Sequence, residues 1–157
     1  MYAKLIIKVT LVLWLSIFPF SAIPQEDLSE RSLSSLVTDF YIAFAAGDVD
    51  RLTQLSSKDI VWEAQSSLPT GGTFVGIEAV IANVFEKIKF YAPGFTIEPV
   101  EIHQAKGVVF VVISVGLDGA EKSRGLQVFF FEDQKVVRYM GFFDTLFITS
   151  AITRLPD

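Results

Sequence analysis

Gly125–Phe143 reads GLQVFFFEDQKVVRYMGFF and runs directly into Asp144–Thr145. Two apolar stretches flank Glu132–Asp133–Gln134–Lys135, a polar tetrapeptide of turn-forming composition. Runs rich in β-branched and aromatic residues around such a turn predict a hairpin of Gly125–Glu132 and Lys135–Thr145. Working back along the chain, Val108–Leu117 and Phe95–Gln104 read as two more strands, with Asp118–Gly119 between the former and the hairpin. Val108–Val115 is almost continuously apolar, the pattern of a strand covered on both faces. Everything from Phe95 onward is therefore expected to be a β-meander.

Helical periodicity dominates ahead of the meander. In Ser29–Ala46 the residues Leu33, Leu36, Val37, Phe40, Tyr41 and Phe44 form one continuous apolar face. Asp27 and Glu30 have capping-box spacing at its start, and Gly47 closes it. Asp48–Leu55 reads as a second helix capped by Asp48. A turn at Ser56–Asp59, a short strand Ile60–Ala64 and the loop Gln65–Thr73 (QSSLPTGGT) follow. Gly76–Lys89 is a third helix, with Ile77, Val80, Val84 and Ile88 on one side. Helices first and hairpin-connected strands after give an α+β domain.

The 157 residues are enough for one domain with a substantial core. Hydrophobic residues at 51%, with 15 Phe, exclude disorder. The formal charge of -5 and the lack of any Lys/Arg cluster argue against nucleic acid and anionic membranes as partners. Zero Cys excludes disulfides and thiol catalysis, and a single His excludes sites that need two imidazoles, so no metal and no cofactor are expected. Residues 1–24 (MYAKLIIKVTLVLWLSIFPFSAIP) combine a basic start, Lys4 and Lys8, with the apolar run Val9–Phe18 and the small residues Ser21 and Ala22. This is the pattern of a signal peptide, with the domain proper at 25–157 secreted or periplasmic. The rival reading is an uncleaved anchor in which Lys8 snorkels.

The layout resembles the nuclear-transport-factor-2-like (NTF2-like) superfamily, in its SnoaL-like and ketosteroid-isomerase-like branch. The matching pieces are Phe44–Ala45–Ala46–Gly47–Asp48, Asp59–Ile60–Val61–Trp62–Glu63, the loop Leu68–Gly76 leading into Ile77–Glu78–Ala79–Val80, and Gly141–Phe142–Phe143–Asp144–Thr145. The resemblance implies a cone, a strongly curved and mostly antiparallel sheet wrapped on three N-terminal helices. It also implies an apolar cavity between the two and frequent homodimerisation through the outer sheet face. It does not name a reaction, because the same cone hosts isomerases, cyclases, hydrolases and non-catalytic binders.

Three groups do the chemistry of the steroid isomerases, and the resemblance places them at Phe40, Ala64 and Gln127. The first two cannot act as a phenol donor or a carboxylate base, and only the Gln127 amide can still donate a hydrogen bond. The epoxide-hydrolase relatives need a carboxylate and an Arg on a neighbouring strand, and Val108–Leu117 has neither. Asp144 matches the carboxylate that ends the last strand of the SnoaL-like cyclases, where it is the acid/base. A carboxylate amid aromatic rings must be hydrogen-bonded, paired or kept neutral. Strand alternation groups Asp144 with Met140 and Phe142, and sets Tyr139, Gly141 and Phe143 on the other face. Two readings of Asp144 stay open: an inward acid/base with Gln127 beside it, or a cap on a terminal helical turn in Leu146–Ile152. Trp62, Phe40, Tyr41, Phe74, Phe129, Met140 and Phe142 are the expected cavity wall for a small apolar molecule. Glu63 is expected to pair with Arg or Lys, and His103 to be an exposed strand residue. Two functions follow: cofactor-free acid/base chemistry at Asp144, or a non-catalytic binding or dimerisation module.

Overall fold

A computed structural model describes residues 31–117 and 122–152 of the chain. Residues 1–24 and the expected capping pair Asp27 and Glu30 lie outside them. Helix α1, Leu33–Ala46, starts later than the periodicity suggested, because Ser32 caps it by accepting a 3.2 Å hydrogen bond from the Ser35 N–H. It buries Leu36, Val37, Phe40, Tyr41 and Ala43. Gly47 ends it at φ 66°, a left-handed conformation that would cost a residue with a β-carbon about 1–2 kcal/mol. Helix α2, Val49–Leu55, follows at once, with the Asp48 carboxylate accepting from the Arg51 N–H at 2.9 Å.

Strand β1 runs Ser56–Ala64 and takes in the expected turn at 56–59. Ser57, Lys58 and Asp59 are polar because that part of the strand is solvated, where the register jumps between Ser56 and Val61. The expected loop Gln65–Thr73 runs into the start of a short edge strand that its composition did not reveal, β2, Gly72–Val75. The third helical segment is continuous but not uniform. It consists of α3 (Ile77–Val80), a π-helical turn (Ile81–Phe85) and α4 (Glu86–Tyr91).

The meander comprises β3 (Thr96–Ala105), β4 (Val108–Gly116), β5 (Ser123–Glu132) and β6 (Lys135–Phe142), and a last helix, α5 (Thr145–Ile152), closes the described chain. The β5–β6 turn is made by Asp133 and Gln134 at φ 47° and 59°, the two left-handed residues of a tight hairpin. The six strands form one curved, open sheet in the order β2-β1-β6-β5-β4-β3, antiparallel throughout except for the β1–β6 pair.

The core lies between the helices and one face of this sheet. Phe129 is fully buried, with Phe40, Tyr41 and Tyr139 at ring-centroid distances of 5.4, 6.0 and 5.2 Å in edge-to-face contact. Such pairs add about 0.5–1.5 kcal/mol each beyond burial. On β4 the residues Val109, Val111, Ile113 and Val115 are buried in this layer, but Phe110 is 40% exposed and Val112 half-buried. The apolar run of β4 is thus covered on one face only within a single chain, not on both.

Candidate functional site

A cavity of about 70 Å³ opens between the sheet's inner face, α1, the α3–α4 segment and α5. One water needs only ~10–15 Å³ on a comparable measure. Phe40 and Tyr41 reach it from α1, Trp62 and Ala64 from β1, Gln127 from β5 and Tyr139 from β6. Ile148 and Ile152 of α5 close another side. A roomier depression of about 390 Å³ lies outside α1, α2 and α4, but its charged groups, Glu86 and Lys89, are exposed.

The rim is the loop of residues 65–71, which contributes Leu68, Pro69 and Thr70. It is pinned rather than loose. Leu68 N–H donates to the Gln65 carbonyl, Gly71 N–H to the Leu68 carbonyl, and the Gln65 amide to the Phe143 carbonyl at 3.2 Å. At Gly71 a β-carbon would stand 1.7 Å from the Gln65 carbonyl oxygen, so only glycine closes the loop.

Gln127 carries the polarity of the site. It is only 3% exposed, and its Oε1 accepts a 2.5 Å hydrogen bond from the Tyr41 hydroxyl. Among the described residues its Nε2 has no partner. A buried amide with one end satisfied and the other facing a cavity is a donor awaiting an acceptor. Burial holds the Tyr41 phenol far above its ordinary range, and burial followed by the nearby Tyr41 does the same for Tyr139. Both therefore stay neutral hydroxyls. Among the described lining residues the titratable groups are all phenols, and no carboxylate, imidazole, Lys or Arg is present.

Four of the residues expected at the site line the cavity together: Phe40, Tyr41, Trp62 and Gln127. Ala64, where the resemblance puts the isomerases' base, lines it too. Phe129 lies behind the wall, packed among the rings, and Phe74 sits half-buried on the edge strand β2. Met140 and Phe142 are corrections, since both lie on the outer face and Phe142 is 44% exposed. The inner residues of β6 are Tyr139 and Gly141, with Phe143 following, which the alternation had placed outside.

The cause is a one-residue slip. The tight turn pairs Glu132 with Lys135 and Phe131 with Val136, but beyond it Phe130 pairs with Arg138, leaving Val137 unopposed. That bulge sets Gln127 opposite Gly141 instead of Met140, and a shift of one residue exchanges the faces of the whole strand.

Asp144 is the second correction. Strand β6 ends at Phe142, and Asp144 is the exposed residue that caps α5 rather than an inward acid. Its Oδ1 accepts from the Phe147 N–H at 3.0 Å and its Oδ2 from the Ser123 hydroxyl at 3.3 Å. It does not line the cavity and does not meet Gln127. Glu63 pairs with Arg138 at 2.6 Å, and His103 is exposed beside Glu101 at 3.1 Å.

The SnoaL-like domain model matches residues 37–139. Among solved structures, an NTF2-like protein of unknown function from Burkholderia pseudomallei superposes with a TM-score of 0.69 at 21% identity, covering 79% of this chain and 99% of that one. IdmH from Streptomyces antibioticus, a candidate polyketide cyclase, gives 0.63 at 17% identity over 78% and 99%. TerC, co-crystallised with polyporic acid, gives 0.66 at 18% identity over 77% and 98%. No curated protein matches by sequence.

Proposed function

The chain belongs to the SnoaL-like family, and from that premise we propose that its cavity binds a small, mostly apolar molecule, without acid/base chemistry at Asp144. The observation that carries the reading is the buried Gln127 amide, whose NH2 faces an otherwise apolar and aromatic enclosure. Such a pocket takes its affinity from hydrocarbon burial and its orientation from one or two polar groups. Asp144 is committed to the α5 backbone, and the Tyr41 and Tyr139 phenols are held too firmly protonated to act as bases. TerC, with polyporic acid, and IdmH, as a candidate polyketide cyclase, lend support from the same fold.

Ala64→Leu tests the pocket, because it fills the cavity from β1, on the rung that Ala64 shares with Gly141 and Gln127. The expected result is binding of ethylbenzene by the wild-type protein and its loss in the variant. Folding stability should fall by no more than the ~1–3 kcal/mol of an overpacked site. Equal binding by both proteins would remove the cavity from the function.

Two further parts of the reading concern the whole chain. We propose that residues 1–24 direct the domain out of the cytoplasm, on the strength of Lys4, Lys8 and the apolar run Val9–Phe18. We also propose that two copies pair through the outer sheet face, where β4, β5 and β6 expose apolar side chains.

A further inference from the structure

We infer that Tyr139 is the pocket's second hydrogen-bond donor, and that with Gln127 it selects a neutral ligand bearing a carbonyl oxygen. This rests on the reading of the cavity as a binding pocket. Tyr139 is 2% exposed and lines the cavity, and its ring stacks on Trp62 with centroids 3.6 Å apart and planes at 15°. Stacking on one side and Phe129 edge-on at 5.2 Å on another fix the ring, and hence where its hydroxyl points. No hydrogen bond joins that hydroxyl to another of the described residues, and the side chain borders the cavity. A buried tyrosine ordinarily finds a partner.

The hydroxyl's position follows from the glycine beside it. A β-carbon on Gly141 would lie 2.7 Å from Tyr139 Oη, so the phenol leans along β6 over Gly141. Gly141 is the residue paired with Gln127 across the sheet. Tyr139 Oη and the Gln127 side chain therefore stand over the same rung of the ladder. The Tyr41 hydroxyl completes the arrangement by occupying Gln127 Oε1, which leaves the amide only donors to offer.

Two donors over one rung of the ladder suit an sp² oxygen with two lone pairs. A carboxylate would satisfy them as well in geometry but not in charge. Among the described lining residues there is no cation to offset it, and a buried, unpaired anion is strongly disfavoured.

Three monocyclic probes of similar size separate these properties: ethylbenzene, acetophenone and benzoate. Acetophenone should bind more tightly than ethylbenzene by about three- to tenfold per hydrogen bond, and benzoate should not compete. The infrared stretch of 13C-carbonyl acetophenone should move to lower wavenumber on binding. Tyr139→Phe keeps the ring and its stacking on Trp62, so its effect is read as the ratio of acetophenone to ethylbenzene affinity. That ratio should fall about three- to tenfold, and part of the shift should return. An unchanged stretch in Tyr139→Phe, or benzoate binding as well as acetophenone, would overturn the inference while leaving the pocket intact. Failure of both neutral probes would overturn the pocket itself, and this inference with it.

Discussion

Asp39 accepts hydrogen bonds from two guanidinium groups, Arg31 at 2.5 Å and Arg51 at 2.9 Å, and so ties Arg31, ahead of the α1 cap, to helix α2. Those bonds, Arg31's first, hold its carboxyl below the ordinary value of 3.8. The sign follows directly. The unfolded chain binds this proton at a higher pH than the folded one, so the stabilisation is complete above pH ~4 and fades as the pH falls through the lowered folded value. Asp39→Asn should therefore flatten the decline in stability below pH 4, read from urea unfolding at pH 7, 4 and 3. A variant whose acid profile runs parallel to the wild type would deny the triad that role. Gln127 entered through the resemblance, because the apolar residues on both sides of it leave its phase in β5 open, and Trp62 through its alternation with Glu63. Tyr139 was not legible, since its phase depends on Val137, where nothing in the residue types marks a bulge.

Elements were readable where a single local rule decides them. Period-3.6 patterning located α1 and the α3–α4 segment, and two capping residues, Asp48 and Gly47, sit where they were expected. The misses occur where pairing overrides composition: the polar first half of β1, the edge strand β2 and the bulged β6. Asp144 belongs to this scale too, because its two open readings differ in whether β6 continues past Phe142. The cap predicts a specific pattern of substitution. Asn accepts the same N–H bond, so Asp144→Asn should leave stability and ethylbenzene binding near wild type. Asp144→Ala should cost about 0.5–2 kcal/mol in thermal or urea unfolding, and loosen a helix whose Ile148 and Ile152 wall the cavity. A loss on Asp144→Asn as large as on Asp144→Ala would mean that the charge, not the cap, matters.

At the scale of the molecule, the sheet has two apolar faces and one chain covers only the inner. Across the outer face Phe110, Val128 and Met140 form one row of cross-strand neighbours, and Val112, Leu126 and Phe142 the next. Phe110, Leu126 and Phe142 are 40%, 37% and 44% exposed, and the Glu63–Arg138 pair lies at the margin. The proposed pairing of two copies rests on this patch and its charged margin. Two copies set face to face by a two-fold axis would give β4 the cover that its continuous apolar run implies. Native mass spectrometry of the protein recovered from its producing cells tests the assembly and the export segment together. The expected species is a dimer whose chains begin near Ile23. Leu126→Glu with Phe142→Glu should yield a folded monomer, because exposed substitutions cost a single chain only about 0.5 kcal/mol each. A monomeric wild type would leave the outer face without a partner, and chains still carrying residues 1–22 would make the N-terminal segment an anchor. If the double variant is monomeric yet binds ethylbenzene as the wild type does, the two faces of the sheet have separable tasks, with the cavity complete within one chain.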